Sequence, residues 1–246
     1  MDLFLAIGIK FLDRVQCWLL IIFKVCMAKL YFRHGTVGSA KTLNLLAVAH
    51  NYRQQGKKIL LMKPNVDTRF GKERIKSRAG LEMEADILIA NESSLKQEDY
   101  SGVSCILVDE VQFVTKEVIE ELRRISLDFD IPVLCYGLRT DFKSYLFEGS
   151  KRLMELADSI EEVKATCHYC NRKSIMNLKH VNGLAASEGP SVELGAEEKY
   201  FPTCFKCYRR EIEKAQIIRQ QQTKGCETSG TDRGQRSQSK ELHPLS

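Results

Sequence analysis

From Lys29 onward the apolar residues fall into short continuous runs that alternate with stretches of helical spacing. "KLYFRH" (29–34) reads as a strand. "KTLNLLAVAHNYRQQ" (41–55) reads as a helix stopped by Gly56, with Lys57 and Lys58 beside its C-terminal end, and "KILLMK" (58–63) as the next strand. Strand, loop, helix and strand make a βαβ unit. Further on, "DILIA" (86–90), "VSCILVD" (103–109) and "IPVLCYG" (131–137) are continuously apolar and rich in Ile, Leu and Val. Such runs suit strands of a parallel sheet that is covered on both faces. Between the last two, "KEVIEELRRIS" (116–126) sets Val118, Ile119, Leu122 and Ile125 on one helical face. The pattern predicts an α/β domain, a parallel sheet with helices on both faces, whose texture ends near Asp158.

After Ala165 the chain turns to cysteine pairs, glycine and polar residues, as expected of a small unit held by something other than a core. From about Thr223 to Ser246 it carries almost no apolar residues and reads as a disordered tail. The first 26 residues are apolar, but their longest charge-free stretches, Leu3–Ile9 and Val15–Phe23, fall short of the roughly 20 residues that span a bilayer. No membrane partner is expected. Residues 1–26 are read as an extension, 27–165 as the α/β domain, 166–210 as a cysteine-bearing domain and 211–246 as a terminal helix and tail.

Composition narrows this little. With 43% hydrophobic residues, the 246-residue chain can bury a sizeable core. The net charge of +5 divides into +3 in residues 209–246, +1 in residues 1–26 and +1 in everything between. That balance gives no support to a broad nucleic-acid-binding face. Nine cysteines, several of them in apolar runs or C-x-x-C pairs, point to reduced cytoplasm rather than a secreted disulfide framework. Cys105 and Cys135 lie within predicted strands as core residues.

Chemistry enters at "GTVGSAKT", Gly35 to Thr42. It follows a strand, opens a helix and nearly matches G-x-x-x-x-G-K-[ST], with Ala40 where the second glycine is asked for. In that setting backbone N–H groups and the helix N-terminus surround a polyphosphate, Lys41 reaches the β and γ phosphates, and the Thr42 hydroxyl joins a Mg²⁺ shell. Ala40 costs about 1 to 2 kcal/mol if its φ has to be positive. The plain alternative is an ordinary glycine turn. "CILVDE" (105–110) ends a strand in paired carboxylates, Asp109 to hold Mg²⁺ through water and Glu110 aimed at the group that attacks the γ-phosphate. Surface carboxylates closing a strand are the alternative here. Cys167, Cys170, Cys204 and Cys207 form two C-x-x-C knuckles 33 residues apart, a set for one closed, structural Zn²⁺. A redox pair is the weaker competitor, and His168 a substitute ligand.

Together "LYFRHGTVGSAKT", "NVDTRFG", "LVDEVQF", "YGLRTDF", the two knuckles and "EKYFPTC" resemble the zinc-containing thymidine kinase family, from about Met27 to Arg209. The resemblance implies a P-loop, RecA-like sheet with a zinc-binding lasso, and transfer of the γ-phosphoryl of ATP to the 5′-hydroxyl of thymidine. It further implies Glu110 as general base, Gly35, Thr36, Val37, Gly38, Ser39, Ala40, Lys41, Thr42, Asp109 and Gln112 on the nucleotide, and Phe113, Leu138, Phe142, Phe147 and Tyr200 around the thymidine. A homotetramer is a family implication. Two departures, Ala40 and Ala196 in the lasso, bear on affinity rather than reaction type. Arg139 serves either phosphate charge or a pairing with Asp141, and Arg69, Lys72, Arg74, Lys76 and Arg78 form either a loop near the nucleotide or a solvated face. A RecA-like ATPase with a structural zinc module is the rival reading, and a nucleic-acid-binding zinc unit on a degenerate nucleotide fold a third.

Overall fold

The computed structural model describes residues 27–90, 94–191 and 199–228, with backbone alone beyond residue 222. Expectations about residues 1–26, Ala196 and the chain after Thr228 lie outside the described residues. The elements run β1 (Leu30–His34), α1 (Lys41–Gln54), β2 (Lys58–Pro64), β3 (Arg74–Lys76), β4 (Glu82–Glu84), β5 (Ile87–Ile89), β6 (Val103–Val108), α2 (Lys116–Asp128), β7 (Val133–Gly137), α3 (Glu148–Leu156) and β8 (Ser159–Glu162). A one-turn 3₁₀ helix, Val111–Phe113, follows β6 directly.

Six strands form one sheet in the order β5-β2-β6-β7-β1-β8, and every pairing in it is parallel. The two-residue period of a strand divides the apolar runs between two layers. Leu61, Cys105, Leu107, Leu134 and Tyr136 face α1 through Leu45, Leu46 and Ala49. Phe32, Met62, Ile106, Val108, Val133 and Cys135 face the opposite layer, where α2 contributes Val118, Ile119, Leu122 and Ile125 and α3 contributes Leu153. Continuous apolar runs are required because both faces are buried.

Two elements extend the expected pattern. β8 pairs with β1 beyond Asp158, and its sequence, "SIEE", offers one apolar residue, Ile160, which is 43% exposed at the sheet edge. β3 and β4 form a hairpin in the region whose basic residues suggested a loop or a solvated face. Ile75 anchors that hairpin in the core layer beneath α1.

The second unit is an antiparallel sheet, β10-β9-β11, made of β9 (Met176–Val181), β10 (Leu184–Ala185) and β11 (Tyr200–Thr203), with helix α4 (Phe205–Thr228). Its apolar core is small: Leu178, Ala185 and Ala215 are buried, with Tyr169, Phe201, Tyr208 and Ile212 around them. α4 starts inside the second knuckle and runs without a break across residue 210, so the terminal helix is continuous with the cysteine unit.

Because the large sheet is parallel, the carboxyl ends of β1, β2, β6 and β7 share one rim, and the segments leaving them converge there. Close packing fixes one of these segments. A Cβ on Gly149, in the first turn of α3, would lie 2.6 Å from the Val114 carbonyl oxygen and 2.7 Å from that of Val111. Those carbonyls belong to the 3₁₀ turn that follows Glu110 and to its C-terminal neighbour. Gly149→Ala is therefore expected to cost about 1 to 3 kcal/mol in spite of alanine's better helix propensity, seen as a lower urea midpoint at unchanged slope.

Candidate active site

The loop Gly35–Thr42 joins β1 to α1 at this rim. Its first residue packs closely: a Cβ on Gly35 would meet Ser39 Oγ at 2.3 Å and the Val163 carbonyl oxygen at 2.6 Å. Within the loop Ser39 N donates to Thr36 O at 3.2 Å, and Lys41 Nζ donates to Thr36 O at 2.8 Å. Lys41 is thus folded back over the loop that it closes. Ala40 is the helix N-cap, with φ 62° and ψ 27° in the left-handed region. The strain foreseen for a positive φ is present. An alanine offers no side-chain oxygen to cap the helix, and no acidic residue stands in its first turn. The positive end of α1 is left to an anion.

The carboxylates meet the loop as their strand predicts. Thr42 Oγ1 donates to Asp109 Oδ2 at 3.0 Å. Glu110 has φ 48°, another left-handed residue, which turns the chain sharply after β6. Its Oε1 pairs with an Arg69 guanidinium nitrogen at 2.6 Å, and its Oε2 accepts the Gln112 side-chain amide. Gln112 Oε1 in turn accepts the backbone N–H of Leu138 at 2.9 Å. Gln112 is 3% exposed, and its side chain ties β6 to the segment after β7.

Asp67 is a site residue that pattern reading did not name, and Arg69 entered it only within a basic cluster read as either a loop near the nucleotide or a solvated face; Arg69 lines the cleft. Arg69 Nε bonds Asp67 Oδ1 at 2.6 Å, and Asp67 pairs with Lys63 at 3.2 Å, where Lys63 is 1% exposed. The available signal was positional: Asp67 and Arg69 leave the carboxyl end of β2, the neighbour of β6. Arg78, at the tip of the β3–β4 hairpin, also reaches the loop, its guanidinium 3.9 Å from where a Gly38 Cβ would stand. These groups surround an open cleft of about 240 Å³ lined by Val37–Leu43, Arg69, Phe70, Lys76–Ala79, Glu110 and Leu138. Of the five side chains expected around a nucleoside, Leu138 lines this cleft. The other four pair up as Phe113 with Phe147, ring centroids 6.0 Å apart, and Phe142 with Tyr200, 6.5 Å apart. Phe142 is 1% exposed, and the Lys179 ammonium lies 5.1 Å from its ring centre. Arg139 donates to the Ile175 carbonyl at 3.4 Å, while Asp141 caps the turn at Lys143 and Tyr145.

Burial strains the charges here. It pushes the Asp109 carboxyl up to about 7, with the charge of Glu110 adding to the effect. It also pulls the Lys41 ammonium down to about 8, against the attraction of Glu110 and Asp109. Folding stability therefore falls as pH rises from the ordinary carboxylate range toward 7, because the folded state holds the Asp109 proton longer. Through pH 8 to the ordinary lysine range it rises, because the unfolded chain keeps the Lys41 proton longer. Near pH 7 to 8 both costs are present, and a cation at Asp109 with an anion at Lys41 would offset them.

In the second unit the Sγ atoms of Cys167, Cys170, Cys204 and Cys207 lie within 4.8 Å of one another. Cys170 stands 3.7 Å from both Cys204 and Cys207. A tetrahedral zinc with Zn–S bonds of about 2.3 Å requires sulfur atoms about 3.8 Å apart, so the cluster fits a zinc site. His168 packs instead against Tyr169, edge to face, and against Phe201 at a tilt.

Phosphate loop, strand-end carboxylates and parallel sheet define a P-loop nucleotide-binding protein of the α/β class. The chain belongs to the thymidine kinase family, whose model matches residues 28–208. It is 41% identical to the thymidine kinase of Lactococcus lactis subsp. lactis over 187 residues, covering 74% of this chain and 97% of that relative. The thymidine kinases of Streptococcus pyogenes serotype M28 and Streptococcus agalactiae serotype Ia are each 41% identical over 189 residues, with the same coverage. No helix among the described residues is long and apolar enough to cross a membrane.

Ala40 gives the most direct test of the loop geometry. Ala40→Gly removes the left-handed penalty and is expected to stabilise the chain by about 1 kcal/mol after glycine's greater unfolded-state freedom is counted. Urea unfolding measures it, and a lower midpoint would mean that the loop does not hold a positive φ at this residue.

Proposed function

We propose that this chain is an ATP-dependent thymidine kinase that transfers the γ-phosphoryl of ATP to the 5′-hydroxyl of thymidine, giving dTMP. The observation that carries the reading is the position of Glu110, on the cleft that the phosphate loop and Leu138 also line. Gly35 through Thr42 cradle the triphosphate, with Lys41 as the cation along it. Asp109 and Thr42 would hold Mg²⁺, which supplies charge neutralisation on the phosphates. Leu138, Phe113, Phe147, Phe142 and Tyr200 form the nucleoside side. Glu110 orients the 5′-hydroxyl and accepts its proton late in a loose transition state, so its placement by Arg69 and Gln112 matters more than its basicity. The four cysteines hold one structural zinc, and the resemblance extends the reading to a homotetramer in the cytoplasm.

Glu110→Gln is expected to lower single-turnover phosphorylation of thymidine by about 10²- to 10⁴-fold while leaving ATP affinity within a few-fold. ADP release by the parent chain that ignores thymidine would instead identify an ATPase. For the metal, native mass spectrometry should find one zinc per chain. A strong chelator should remove it and lower the melting temperature, since a closed four-thiolate site contributes to folding directly. A metal-free chain that melts at the same temperature would remove zinc from the structure's support.

A further inference from the structure

Asn177 touches the phosphate loop and the segment that follows Leu138 without lining the cleft. It lies in β9, 3% exposed, opposite Pro202 in the ladder and so two residues from the cluster cysteine Cys204. Its side-chain oxygen accepts the backbone N–H of Val37, in the phosphate loop, at 2.9 Å. Its side-chain amide donates to the backbone carbonyl of Thr140 at 2.9 Å. Thr140 stands between Leu138 and Phe142, on the segment assigned to the nucleoside. One planar amide therefore links the two substrate-bearing loops, using a donor and an acceptor whose separation is fixed. Either loop moving alone would leave a buried polar group unmade, the costly outcome for a hydrogen bond.

A neighbouring contact supplies a natural control. Ser174, on the same segment of the second unit, shares a hydrogen bond with Thr36 at 2.8 Å and lies 3.0 Å from the Ala165 carbonyl oxygen. It ties the phosphate loop to the second unit through partners other than residues 138–142.

We propose that Asn177 is a positioning residue that couples the two substrate sites, so that a nucleoside ordering the 138–142 segment raises the affinity of the phosphate loop for ATP, and the reverse. The inference rests on the thymidine kinase reading. Its physical basis is shared ordering: the ligand that fixes one loop removes part of the entropic cost of fixing the other. By linkage the two enhancement factors are equal.

Calorimetric titration of the full chain with an ATP analogue carrying a non-cleavable β–γ bridge, with and without saturating thymidine, measures the coupling. In the parent chain thymidine is expected to tighten the analogue by about fivefold or more. In Asn177→Ala the ratio is expected to fall below about twofold. Asn177→Asp keeps an acceptor for Val37 but has no donor for Thr140, so it should lose the ratio too; being isosteric, it also serves if the alanine variant fails to fold. Ser174→Ala should weaken the analogue while keeping the parent ratio, which separates coupling from mere loosening of the loop. An unchanged ratio in the Asn177 variants, an equal loss in Ser174→Ala, or a ratio near one in the parent overturns the inference. A parent chain that binds neither ligand overturns the kinase reading beneath it.

Discussion

The ion pair between Arg69 and Glu110 turns separate strand ends into one site. Arg69 leaves β2 and Glu110 leaves β6, strands that are neighbours in the sheet, so the two charges meet because the sheet is parallel. From that pair the contacts run outward: through Asp67 to the buried Lys63 on one side, and through Gln112 to the Leu138 backbone on the other. Removing Arg69 costs roughly 3 to 5 kcal/mol, because the Glu110 carboxylate then stays buried without its ion pair, whereas Arg69 keeps Asp67 as a partner when Glu110 is removed. The Glu110 carboxylate is therefore held from both of its oxygens.

Holding it that way takes stability from the fold. Glu110 and Ala40 are both left-handed non-glycine residues, one turning the chain after β6 and the other opening α1. Asp109 and Lys41 are both buried with their charged forms disfavoured. All four gather at one rim of the sheet, and strain of this kind persists only where the surroundings over-determine it. Here the surroundings are close-packed backbone and side chains. Gly35 sits against Val163, Gly137 against Val111 and Gln112, and Gly149 against the turn after Glu110, each too near to admit a side chain. These contacts prevent the strained residues from relaxing.

The sheet was legible because burial on both faces writes itself as uninterrupted Ile, Leu and Val. β2, β5, β6 and β7 announce themselves in this way, β1 does so through Leu30, Tyr31 and Phe32, and α2 shows its inward face by spacing alone. β8 does not, since an edge strand needs few apolar residues, and "SIEE" looks like loop. The phosphate loop and the carboxylate pair were legible as chemistry at fixed positions relative to a strand. Asp67 and the pairing of Arg69 with Glu110 were not, because they come from which strands are neighbours, and strand order in a parallel sheet is set by crossovers that leave no local mark. The β3–β4 hairpin hid for a related reason: its charges dominate the composition, while Ile75, with the half-buried Met83 beside it, fixes it to the core. Ala40 was visible as a departure from the motif, but its cost depended on a φ that only the fold supplies.

The second unit shows why a cysteine cluster outside the cleft bears on the reacting groups. Its own core amounts to a few side chains around Leu178 and Ala215, too little apolar surface to hold a three-stranded sheet unaided. Yet it presents to the large domain a set of buried polar contacts that tolerate little displacement: Ser174 on Thr36, Asn177 on Val37 and Thr140, and the Tyr208 hydroxyl on the Phe142 carbonyl at 2.6 Å. Hydrogen bonds of this sort are satisfied only within a few tenths of an ångström, so the donor surface has to be rigid before it is of use. A zinc held by the four cysteines, set where β11 ends and just before β9 begins, would provide rigidity where packing cannot. A metal there would act on the cleft through the loops that the unit grips, with no part for the thiolates in the chemistry at the phosphate loop.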